Sequence, residues 1–243
     1  RIRSGGCRIA GASVGVVLTA IAITPSAPVL VPELAGAAAR EVSAFRSAAI
    51  EAVAALPDQW IAIGVGPADL VFTRVHGTFA GYGADVPVSL CPEQFGPVAE
   101  MPLCALFAGW LRGQANPNAR VSVRVHPTDL DADAAFARGR LLRELVDGDE
   151  EQLGVLVVAD GFNTLGPSAP GGEDPQAPVE QAALDDALAA GDTAALARLP
   201  QGVVGRVAYQ VLAGLAGPNI SARELIRGAP FGVGYFAGLW LPG

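Results

Sequence analysis

An α/β fold, a three-layer helix-sheet-helix sandwich around a mixed sheet, is what this chain predicts from three observations. Short runs of aliphatic and β-branched residues alternate with longer segments whose apolar residues recur at helical spacing. The run at 155–158, VLVV, is apolar at every position, the pattern of a strand covered on both faces. Hydrophobic residues make up 51% of the 243 residues, enough for a sizeable core and too many for a disordered chain.

The elements follow in order. Residues 1–16 carry a basic start and then an apolar run, which reads either as a signal peptide or as an N-terminal extension. The extension is the preferred reading, because the apolar run is short and leads straight into core-like sequence. Residues 17–243 read as a single domain. Its first strand is 17–24, VLTAIAIT, followed by a rigid PSAP loop. A long helix is predicted over 33–56, where Leu34, Ala38, Val42, Phe45, Ala49, Val53 and Leu56 share one face. Strands follow at 60–65 and 69–75, with His76 at the end of the second. The Gly-rich segment 77–83, GTFAGYG, lacks the lysine of a phosphate-binding loop and opens no clear helix. A buried helix is expected at 97–113, a strand at 119–125, and a helix capped by Asp129 that runs to Leu145. After the 155–158 strand come helices at 179–190, at 193–199 with Asp192 as cap, and at 203–215. The tail at 230–240, PFGVGYFAGLW, reads as a last buried strand.

Composition excludes several function classes. The net charge is -8, which argues against a nucleic-acid surface built on clustered cations. All 16 basic residues are arginine, so no side-chain amine is present to form a Schiff base. Apolar runs are interrupted before the ~18 residues of a membrane span, so no membrane partner is expected. Cys7, Cys91 and Cys104 are odd in number and lack metal-type spacing, so neither a disulfide framework nor a cysteine zinc site is indicated, and the cytoplasm is the expected compartment.

Candidate site residues lie on loops after strands, where open α/β sheets place their ligands. Three such loops, at 24–26, 64–69 and 160–168, could converge. Ser26 sits in TPSAP, which lacks the G-x-S-x-G elbow of a hydrolase, and a turn serine is the preferred reading. His76 borders the Gly-rich loop, and His126 precedes Pro127, where a cap or surface role fits better. Glu33 is a possible carboxylate, or a first-turn acid favoured by the helix dipole. Asp160 and Asn163 open the loop after the 155–158 strand. The pocket candidates are therefore Ser26, His76, Asp160 and Asn163. Two histidines fifty positions apart make no metal cluster.

Four segments in order, TPSAPVLVPELAG, ADGFNTLGPSAPGG, GDTAALARL and PFGVGYFAG, resemble the class III extradiol ring-cleavage dioxygenases of LigB type, over residues 17–240. The helix sequence AFARGRLL is similar to the family's glycine-containing helix at that place. The resemblance implies the α/β fold and a non-haem Fe(II) held by two histidines and a glutamate, with a further histidine as acid-base. Carried over by segment, the ligand places fall near Ser26, Gly66 and Gly202, and the acid-base place falls on Asn163. Hydroxyl and amide groups do not replace imidazoles as Fe(II) ligands or proton carriers. The expectation is a LigB-like homologue without the iron site, a non-catalytic ligand-binding or interaction protein. Its ligand would be a small aromatic or polar molecule, and a homo-oligomer or a partner subunit is possible. No cofactor is expected, or Fe(II) if the family activity is retained. The alternative is an active enzyme of the superfamily, either ring-opening or using changed, metal-free chemistry in the same pocket.

Overall fold

The structure is a computed structural model and describes residues 18–93, 96–147, 152–217 and 219–243. The expected extension at 1–16 lies outside the described residues. A seven-stranded mixed sheet forms the middle layer. At its centre β1 (Leu18–Thr24) and β7 (Leu153–Val158) run parallel, with Thr24 opposite Val158. On the other side of β7 lies β2 (Gln59–Gly66), and beyond it β6 (Arg120–Pro127), both parallel to it. The antiparallel β3 (Leu70–Thr73) closes that edge. At the other edge β9 (Tyr235–Pro242) pairs antiparallel with β1, and β8 (Ile220–Gly228) pairs antiparallel with β9. The order is β3-β6-β2-β7-β1-β9-β8.

Strand alternation divides the core into two. Ala20, Ala22, Trp60, Ala62, Val121, Val123, Leu156 and Val158 face one layer, which holds α2 (Ser43–Ala54) and α3 (Leu103–Ala115). Ile21, Ile23, Ile61, Ile63, Val155 and Val157 face the other, with α4 (Ala132–Asp147), α5 (Ala177–Ala190) and α7 (Arg206–Ala216). The expected three-layer sandwich is what forms. Among the described residues no helix is long and apolar enough to cross a membrane.

Several boundaries differ from expectation for identifiable reasons. The helix predicted over 33–56 is broken into α1 (Pro32–Ala35), a 3₁₀ turn at Gly36–Ala39, and α2. Gly36 adopts a φ of 51°, which a continuing helix cannot contain. The strand expected at 69–75 ends at Thr73, where Arg74 turns the chain with a φ of 54°. His76 therefore opens a separate strand, β4 (His76–Thr78), paired with β5 (Pro87–Ser89). The helix expected from Pro97 begins only at Leu103, because Pro102 is extended and stands at the cap position. Asp131, not Asp129, caps α4: its Oδ1 accepts from the Ala134 N–H at 2.8 Å. Asp192 does cap α6 (Thr193–Leu196), accepting from the Ala195 N–H. The helix expected from 203 starts at Arg206, since Val203 is held instead in a bridge to Phe162.

Candidate functional site

The site is built at the C-terminal end of the parallel strands. Register places the ends of β1 and β7 side by side, and Ala159 donates its N–H to the Thr24 carbonyl at 3.0 Å. One step further, the Ser26 backbone N–H donates to Asp160 Oδ1 at 2.8 Å. The structure thus brings together Ser26 and Asp160, which lie 134 positions apart. Asp160 is half-buried, and burial pushes its carboxyl up to about 7 against the lowering effect of the Ser26 bond. Beneath it, the buried Tyr209 hydroxyl donates to the Ala159 carbonyl at 2.9 Å. Burial first, and then the Asp160 charge, hold the Tyr209 phenol well above its usual range, so it remains a donor. Tyr235, where β9 begins, is raised by the same two causes.

The loop after Asp160 is pinned from three sides. Gly205 donates to the Asp160 carbonyl at 2.8 Å, and Val204 donates to that of Gly161 at 3.0 Å. Gly161 donates to Gly234, and Gly234 donates to Phe162, each at 2.8 Å. The Gln181 side chain accepts from the Phe162 N–H at 2.8 Å and donates to Asp185 at 2.8 Å. Burial raises the Asp185 carboxyl to about 6. A side chain at Gly161 or Gly234 would collide with the Gln181 amide, which would have to leave its present place.

The other candidates take different places. Asn163 closes the loop, its carbonyl accepting from the Gly171 N–H at 2.9 Å and its side chain lying against Gly171. No hydrogen bond joins it to Ser26 or Asp160 among the described residues. His76 lies on the β4–β5 hairpin and lines a hollow of about 290 Å³ with Glu33, Trp110 and Arg112. Ser26, Asp160 and Asn163 do not line that hollow. Gly66 ends β2 beside a larger cleft of about 1280 Å³, walled by Phe72, Tyr82, Met101 and Leu106. Next to it Cys104 donates to the Val65 carbonyl at 3.5 Å; burial pushes this thiol up to about 12, which keeps it protonated and unreactive. Gly202 packs against the Phe162 ring, with no room for a side chain.

These residues do not fit an Fe(II) centre of the kind the resemblance implies. The three ligand places supply a hydroxyl and two glycines. Among the described residues no group of three or more His, Cys, Asp or Glu side chains is placed to hold a metal. Sequence reasoning missed Gln181, Tyr209 and Tyr235. Gln181 and Tyr209 are internal helix positions whose partners arrive from distant segments, so no local pattern marks them.

No family model and no curated protein matches the chain. Among solved structures the fold is similar to that of the uncharacterized protein JW3007 from Escherichia coli K12, with a TM-score of 0.56 and 11% identical residues, over 92% of this chain and 99% of that chain. A likeness at that identity shows the fold.

Proposed function

We propose that this chain is a homologue of the LigB-type extradiol ring-cleavage dioxygenases whose Fe(II) site has been replaced. In this reading it binds a small polar or aromatic ligand at the Ser26 and Asp160 end of the sheet without opening a ring. One observation carries the reading: the bond from the Ser26 N–H to Asp160 Oδ1, where the ends of β1 and β7 meet. At the place where the resemblance puts the first histidine ligand, this chain has a serine whose backbone is committed to a carboxylate. What the loop offers a ligand is hydrogen bonding. A carboxyl near neutrality both donates and accepts, and the Ser26 hydroxyl does likewise. The cytoplasm is the compartment we assign, since Cys91 and Cys104 are buried free thiols.

The test is to load the protein with Fe(II) without oxygen, measure iron per chain, and follow oxygen uptake with catechol. The expected outcome is iron well below one per chain and no ring-opened product. Catechol should shift the amide resonances of Ser26 and Asp160, and Asp160→Ala should weaken its binding at least tenfold. Stoichiometric iron with ring opening, or binding indifferent to Asp160→Ala, overturns the proposal.

A second reading is favoured by the Asp160 carboxyl alone. A group at about 7 passes protons in either direction near neutral pH, which suits metal-free acid-base chemistry in the same loop. Turnover that survives chelators and disappears in Asp160→Asn distinguishes it.

A further inference from the structure

A second polar cluster lies away from this loop, between the edge strand β3 and helix α4. Arg124 and His126 alternate with Val121, Val123 and Val125 on β6, so both face α4 while the valines enter the opposite core. Both line a cavity of about 380 Å³, at the small end of the range for ligand pockets (about 300–1,000 Å³). Its walls are apolar and open to solvent: Leu70 is 40% exposed, Val71 56%, and Leu141 and Leu145 59% each.

The polar end of this cavity is formed by Arg124, His126, Arg138 and the carboxylate of Asp69. Arg138 spans both oxygens of Asp69, which occupies the carboxylate. The same Arg138 Nη1 lies 3.2 Å from His126 Nδ1. A guanidinium can only donate, so Nδ1 accepts. Burial first, and then the Arg138 charge, lower the His126 pKa against the raising effect of Asp69, whose Oδ1 lies 3.7 Å from Nδ1, so the ring is neutral and its proton sits on Nε2. His126 is only 7% exposed, and its Nε2 is buried without a partner. Arg124 Nε is likewise buried without a partner, and no described residue forms an ion pair with Arg124. Two unsatisfied donors, one of them cationic, call for an acceptor carrying negative charge.

We propose that the cavity between β3 and α4 binds an amphipathic monocarboxylate, with its carboxylate between Arg124 and His126 and its apolar body along Leu141 and Leu145. A neutral molecule of the same shape would leave the Arg124 charge unmatched, and a cation would be repelled by it. A carboxylate supplies two acceptor oxygens to the two donors, while the exposed leucines lose contact with water on the same event.

The probe is octanoate, with octan-1-ol as the neutral control, titrated into the full chain by calorimetry and followed through the His126 ring nitrogen resonances. Octanoate should bind at least tenfold more tightly than octanol and shift Nε2. Arg124→Gln should weaken octanoate at least tenfold and leave octanol unchanged. Leu145→Asp, at an exposed position, should weaken octanoate at least tenfold with unchanged circular dichroism. Equal affinity for the two probes, absence of octanoate binding, or indifference to both substitutions overturns the proposal. So does light scattering that shows a wild-type dimer becoming a monomer in Leu145→Asp, since the groove would then be covered by a second copy.

Discussion

Asp160 links the site to the pH dependence of the fold. Its carboxyl titrates near 3.8 when unfolded and about 7 when folded. Between those values the folded state holds the extra proton, so stability falls as pH rises from about 4 to about 7. The slope reaches up to about 1.4 kcal/mol per pH unit. Asp185, raised to about 6, acts with the same sign over the lower part of that window. Asp160→Asn keeps an oxygen to accept the Ser26 N–H and removes the titration. Its urea midpoint is expected to fall less steeply than that of the wild type as pH rises from about 4 to about 6, to be flat above pH 6, and to exceed the wild type at pH 8. A variant that tracks the wild-type pH profile would show that Asp160 is ionised in the fold. At this scale Asp160 and Ser26 were legible in the sequence as loop residues after apolar strands. Gln181 was not, because its role depends on Gly161 and Gly234 approaching from two other segments.

Between elements, α4 and α7 approach until their backbones touch. A side chain at Gly139 would meet the Val211 carbonyl and the Gly214 backbone, and one at Gly214 would meet the Phe136 carbonyl. Two glycines, one on each helix, let the backbones touch. Gly139→Ala gains about 1 kcal/mol of helix propensity, yet overpacking at such a contact costs about 1–3 kcal/mol or more. A net loss of stability is expected in urea titration; a raised midpoint would mean that α4 can draw back from α7 without cost. The sequence marks Gly139 only as a glycine in an otherwise sound helix, and the contact that uses it comes from 72 to 75 positions away. Strand β8 escaped notice for a different reason. None of its residues is fully buried, and Arg223, Glu224 and Arg227 lie among them, as suits an edge strand with one wet face. The helix predicted over 33–56 failed through Gly36, since apolar spacing can persist across a break that only the backbone angle reveals.

For the whole molecule, the decisive feature is that the last two strands lie beside the first. Strand β9 covers the edge of β1, and Trp240 is fully buried, donating from its indole to the Leu188 carbonyl of α5 at 2.8 Å. Truncation after Ala216 would strip β1 of that neighbour and uncover Ile21 and Ile23 in the core. The shortened chain is expected to lose its cooperative thermal transition in circular dichroism; a sharp transition would show that the five remaining strands make a core by themselves. The fold class, the central strands and most helices were determined by the sequence alone, because apolar periodicity is a local property that each segment carries with it. The placement of Ser26 against Asp160, the separation of His76 onto its hairpin, and the orphaned donors of Arg124 and His126 were decided only by the tertiary structure. They depend on strand order and on which face of a strand a helix covers, and those follow from packing among segments far apart in the chain.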